Sequence, residues 1–199
     1  MTRLRRFLPV AIGIVLLAFL AWGVTSLLER LTARDGDAAV TTPPAPAALT
    51  PHIAVTLFYA TPEGDALVPI RRDVPLAEGL VAQGRQILLA QLQPPPAPQV
   101  SAIPAGTTLR AFYVTEKGDA FVDLGGIAAA HPGGSLTELL TVQAIINAVI
   151  ANLPAIQRVQ IVVDGQEVDT IAGHVDIRRP LTRDESLVRQ PQDAEAAPQ

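Results

Sequence analysis

The sequence predicts an α+β domain held behind a single N-terminal membrane helix. Three observations lead there. Pairs of short runs rich in β-branched and aromatic residues alternate with two helical stretches, in the order ββ-α-ββ-α-ββ. Both helical stretches carry a one-sided apolar stripe, which predicts two helices packed on one face of a largely antiparallel sheet. At the start, Arg3, Arg5 and Arg6 precede 22 consecutive uncharged residues.

Those 22 residues, 7–28, would span about 33 Å as a helix, against a hydrocarbon core of about 30 Å. The arginines predict a cytoplasmic segment 1–6, so everything after residue 28 lies outside, and Trp22 suits the far interface. A cleaved signal peptide is the competing reading, because Ala21 and Gly23 are small enough for a cleavage site. The apolar run continues through Leu27-Leu28, which favours an uncleaved signal anchor. Residues 29–51 read as a linker, with Pro43, Pro44, Pro46 and Pro51 favouring extended chain.

The folded domain is expected over 52–179. Residues 53–60 alternate as a strand, Pro62-Glu-Gly-Asp65 turns, and Ala66–Ile70 returns with Pro69 marking an edge. Asp73-Val-Pro75 can open a helix whose face is Leu76, Leu80, Gln83 and Ile87, and which Pro94–Pro98 ends. Residues 108–115 and 120–124 form a second hairpin around Glu116–Asp119. Val159–Val163, the Asp164-Gly165 turn and Val168–Val175 make a third. The two ββα segments hint at a repeat without residue-level identity. From Pro180 to residue 199 the chain is polar and proline-bearing, which predicts a disordered tail.

The organising stretch is 135–165. Ser135 and Glu138 have the spacing of a capping box, and Leu139, Val142, Ile146, Val149, Ile150 and Leu153 form the core stripe. On the other side Thr137, Thr141, Ala144 and Ala148 make a face of small, uncharged residues. A helix face left in water normally carries charge, so this one is a candidate interaction face unless a loop such as Pro94–Pro98 covers it.

Composition excludes several kinds of chemistry. With no cysteine there is no disulfide framework, thiolate metal site or thiol nucleophile. Residues 50–179 hold eight basic and twelve acidic side chains, which argues against nucleic-acid binding. His52, His131 and His174 lack metal-ligand spacing. Asp164, Glu167 and Asp169 cluster at a turn without the pattern of a calcium loop. Gly133-Gly-Ser135 lacks the strand and second glycine of a nucleophile elbow. Arg71-Arg72 and Arg178-Arg179 are edge charges by default, with an acidic partner or lipid headgroup as the alternative.

Several strings taken together carry a family resemblance. These are VTLFYATPEGDALVPIRRDV, the Ile-Pro-x-Gly-Thr turn at 103–107, Val-Asp-Leu at 122–124 and Val-x-x-x-Val-Asp-Gly at 159–165. In this order and spacing, over about residues 53–176, the chain resembles the GerMN domain, named for a spore-germination protein. One departure is Gln93-Pro94, where the family usually has Gly-Pro after its first helix. The resemblance implies an extracytoplasmic domain on one membrane anchor, with a fold similar to ring-building domains of envelope assemblies. It supplies no catalytic residues.

The expectation is therefore a non-catalytic, membrane-anchored interaction domain of the cell envelope or of a sporulation or germination assembly. It needs no cofactor or metal. Its partners would be envelope proteins, a second copy among them, and not nucleic acid. The alternative is a cell-wall or small-ligand binding module, with an envelope enzyme third.

Overall fold

The structure is a computed structural model and describes residues 51–189. The expected cytoplasmic segment 1–6, membrane helix 7–28 and all but Pro51 of the linker lie outside the described residues. The elements are β1 (His52–Ala60), β2 (Leu67–Pro75), α1 (Leu80–Gln91), β3 (Thr108–Val114), β4 (Asp119–Gly125), a short α2 (Ile127–Ala130), α3 (Ser135–Asn152) and β5 (Arg158–Val163). A single 3-10 turn, Glu185–Leu187, follows.

The α+β composition is as the sequence predicts, but there are two sheets instead of one. β1 and β2 form an antiparallel pair in unbroken register from His52↔Pro75 to Ala60↔Leu67. β3, β4 and β5 form the other sheet, in that order. The first sheet stops at two strands because the outer edge of β1 is already satisfied. The Asn152 side chain accepts from Thr56 N (2.8 Å) and donates to Thr56 O (2.7 Å). Gln91 does the same at Phe58, at 2.9 and 2.7 Å. Ala60 exchanges both its backbone bonds with Val100. Two side-chain amides thus stand where a neighbouring strand would be, and they close an edge that would otherwise template another chain.

The third hairpin does not form. β5 lies parallel to β4, from Asp119↔Arg158 to Leu124↔Val163. The long connection through α2 and α3 makes that crossover available, since parallel neighbours need one. After Asp164-Gly165 a single Val163↔Gln166 bridge remains, and residues 168–175 leave the sheet. The first helix also starts later than expected. β1 reaches back to His52, so its partner strand runs through Asp73-Val-Pro75, and α1 begins only at Leu80. Leu76 is exposed and not on a helix face, while Gln83, Ile87 and Leu88 are buried. Gly84 lets α1 approach β3, because a Cβ there would overlap the buried Phe112 ring.

α3 is the spine of the core. Every residue from Leu140 to Val149 is buried. The helix packs against β1 of one sheet, β5 of the other, and α1. A helix apolar or small all round is what burial on several sides requires. The expected disordered tail is corrected up to Arg189. Leu181 exchanges two 2.8 Å backbone bonds with Val159, Arg189 N donates to Leu67 O, and the Arg189 guanidinium meets Asp65 at 2.9 Å. Residues 190–199 lie outside the described residues.

Candidate functional surface

The small-residue face of α3 does not reach solvent as a face. Thr137 is exposed, but Thr141, Ala144 and Ala148 are fully buried. Asn152, one turn beyond Ala148, holds the Thr56 backbone, and Thr141 Oγ1 donates to Ala102 O at 2.6 Å. The small side chains therefore admit β1 and the 101–103 segment of the same domain at close range. They present no surface to a partner. Asn147, also on this helix, is fully buried, and neither of its side-chain polar atoms meets a partner among the described residues.

The capping box is corrected as well. The N-cap is Gly134, and no side chain caps the helix. Glu138 instead turns its carboxylate inward, where it is fully buried. Oε1 accepts from Ile171 N at 2.8 Å and Ala172 N at 2.9 Å, and Oε2 accepts from His174 N at 2.8 Å. His174 Nδ1 lies 3.2 Å from Oε2. Burial by itself pushes the carboxyl pKa up. The converging N–H groups of Ala172, His174, Ile171 and Val175 outweigh it, and the net shift is downward. This group anchors the loop that replaces the third hairpin, which is a structural task.

The other polar candidates are similarly committed. Gly133 N donates to His131 Nδ1 at 3.0 Å, so the ring carries its proton on Nε2 and offers it to Thr141 Oγ1 at 3.2 Å. His52 is exposed at the start of β1, and Ser135 is an exposed residue of the first turn of α3. Arg72 bonds Tyr59 Oη and Pro94 O, Arg178 pairs with Asp176, and Arg71 and Arg179 are exposed. Asp169 is exposed and lies within electrostatic reach of Arg178. No group of three or more His, Asp or Glu gathers in metal-binding geometry among the described residues.

Three of the sequence motifs converge at one end of the second sheet. Asp164 (φ 52°) and Gly165 (φ 82°) form a two-residue turn with both φ positive, a conformation in which glycine is the natural occupant of the second position. Asp123 Oδ1 accepts Gly165 N at 2.9 Å, and Asp164 Oδ1 accepts Gly126 N at 3.3 Å. Val-Asp-Leu and Val-Asp-Gly thus brace one another through their aspartates. The 103–107 turn closes on itself through Thr107 Oγ1, which donates to Pro104 O at 2.8 Å, and its Gly106 carbonyl lies beside Gly126.

Next to this cluster the outer face of the sheet is open. Ala120, Val122 and Leu124 of β4 point into the core, so Phe121 and Asp123 point out. Phe121 is the register partner of Tyr113, and Asp123 is paired with Val162 of β5. With Gly165 and Glu167 these residues line a groove of about 480 Å³. Tyr113 is 63% exposed. Asp123 meets Arg110 Nε at 3.2 Å, whereas Glu167 has no ion-pair partner among the described residues. Strand alternation alone could have singled out Phe121 and Asp123. The β-bulge between Leu109 and Ala111 hides the outward setting of Tyr113 from a simple period-two reading.

A family model described as "Germane: Sporulation and spore germination" matches residues 56–169. The tandem GerMN domains of the sporulation protein GerM from Bacillus subtilis are similar in structure, at TM-score 0.52 and 17% identity over 66% of this chain and 46% of that one. This chain thus spans less than half of the tandem protein. The first GerMN domain alone gives TM-score 0.49 at 17% identity, over 66% of this chain and 98% of that one. A candidate lipoprotein from Clostridium perfringens gives 0.48 at 23% identity, over 69% and 91%. No curated protein matches. The family match covers more than half of the chain, and three of the four motifs that carried the resemblance meet at one end of the second sheet, while the fourth forms the first sheet; the chain belongs to the Germane family of sporulation and spore-germination domains.

Proposed function

We propose that this Germane domain is carried outside the cytoplasm on its N-terminal membrane helix and works by binding another envelope protein, without catalysis. The open outer face of the second sheet carries this reading. Its groove pairs a largely exposed tyrosine with a second aromatic side chain beside carboxylates, on a rigid three-stranded support. Exposed aromatic residues of this kind are enriched where proteins meet. The polar groups elsewhere, buried Glu138 and Thr141 and half-buried His131, are occupied in holding loops and do not converge on a reacting atom.

The test uses the full chain in its own cells. A photo-crosslinking residue at Tyr113 is expected to give a discrete adduct with an envelope protein. The same residue at Glu63, exposed in the β1–β2 turn, is expected to give none. Crosslinking of Tyr113 to wall glycan alone would favour the wall-binding alternative, and equal patterns at both positions would remove the surface from consideration.

A further inference from the structure

We propose that the Tyr113–Phe121 groove receives a cationic, arginine- or lysine-bearing extended segment of a partner protein. This deepens the binding function proposed above and rests on it. The floor is apolar and aromatic, formed by Tyr113, Phe121 and Val162. The rim is acidic. Asp123 is matched by Arg110, whose guanidinium also lies beside Gly165, while Glu167 makes no ion pair among the described residues, and Asp164 engages only the Gly126 N–H. The local balance of Arg110, Asp123, Asp164 and Glu167 is one positive charge against three negative, a net of −2.

An apolar floor under a net-acidic rim matches one kind of side chain closely. Arginine and lysine lay an aliphatic stem along apolar surface and carry a charge at the tip. The exposed Tyr113 ring offers a face to that charge, and Glu167 offers a carboxylate. The same field disfavours an anionic headgroup or a nucleic acid. Polar backbone near the floor is already used, since Asp123 holds the Gly165 N–H. Recognition would then come from side-chain charge and stacking.

The experiment measures binding of fluorescein-labelled peptides to the full chain in non-ionic detergent, by anisotropy at low salt. One peptide alternates arginine with serine and valine, and its control replaces every arginine with neutral citrulline. The arginine peptide is expected to bind at least about tenfold more tightly than the control, and to lose most of that advantage in 0.5 M salt. Tyr113→Ala and Glu167→Gln alter exposed side chains and are expected to keep the melting temperature while weakening binding about three- to tenfold each. Equal affinity for both peptides, or affinity unchanged in both variants, would overturn the proposal. So would tighter binding of anionic vesicles, or sedimentation showing self-association that Glu167→Arg abolishes, which would make a second copy the occupant. If Tyr113 crosslinks to an envelope protein in cells while the arginine peptide is ignored, the cationic specificity fails and the binding function stands. If the peptide binds but Tyr113 captures nothing in cells, the groove chemistry stands and the envelope partner fails.

Discussion

Glu138→Ala is expected to destabilise the domain by about 3–5 kcal/mol, because three N–H groups, that of Ile171 buried and those of Ala172 and His174 partly so, lose a buried charged acceptor at once. The carboxylate takes Ile171, Ala172 and His174 N–H within 2.9 Å, and no water-exposed face remains to substitute for it. Against a total stability of about 5–15 kcal/mol for an ordinary domain, that is a large share, and thermal or urea unfolding measures it directly. The same group makes stability acid-sensitive. Its folded-state pKa lies below the ordinary glutamate value of 4.5. Its stabilisation is therefore fully present above about 4.5 and is lost as pH falls through the lower folded value. Glu138→Gln should be less stable than the parent at neutral pH and should lose part of the parent's acid dependence. An unchanged unfolding midpoint in Glu138→Ala would remove the anchoring role.

Gln91→Leu is expected to cost about 2–4 kcal/mol, for a different reason. The substitution puts an apolar side chain of similar size in place of the amide, so packing is largely preserved. It leaves the Phe58 N–H and C=O unpaired where the native amide met them at 2.9 and 2.7 Å. Asn152→Ala should follow the same logic with a smaller loss, since that amide is only partly buried. Gln91→Glu provides a check on mechanism. It keeps the acceptor for Phe58 N–H but sets a carboxylate against the carbonyl, so its stability should improve on acidification as the carboxyl regains a proton. Equal stability of Gln91→Leu and the parent would show that the β1 edge is satisfied in some other way.

Elements with strong periodicity were legible in the sequence. β1, the β3–β4 hairpin, β5 and the long helix all appear within a few residues of their expected limits. Pairing was less legible. β5 carries the same β-branched run whether it pairs forward into a hairpin or backward with β4, and the choice rests on the loop that Glu138 holds. The Ser135/Glu138 spacing fits a capping box in any sequence, but the 171–174 loop offers that carboxylate three donors, where a capping box would use it for one. The small face of α3 shows the same limit. Thr141, Ala144 and Ala148 signal close approach of something, and only the fold reveals that it comes from the same chain.

The candidate surface was not singled out in the sequence, where the face named was that of α3, although three of the family motifs lie beside it. Their role was not visible, because Asp123 and Gly165 are 42 positions apart and meet only through the parallel crossover. Gln91 and Asn152 were beyond sequence reasoning for the same reason, being ordinary polar residues on helices until a strand edge is laid against them.

The chain has two tyrosines, and they make the most direct measurement available. Tyr59 is fully buried and Tyr113 is 63% exposed on the proposed contact face. Radical footprinting of the purified full chain should modify Tyr113 readily and leave Tyr59 protected. In intact cells, an occupied sheet face predicts that Tyr113 becomes several-fold less reactive, and that Glu167→Arg restores its reactivity. Tyr113 equally reactive in cells and in the purified chain would contradict the account.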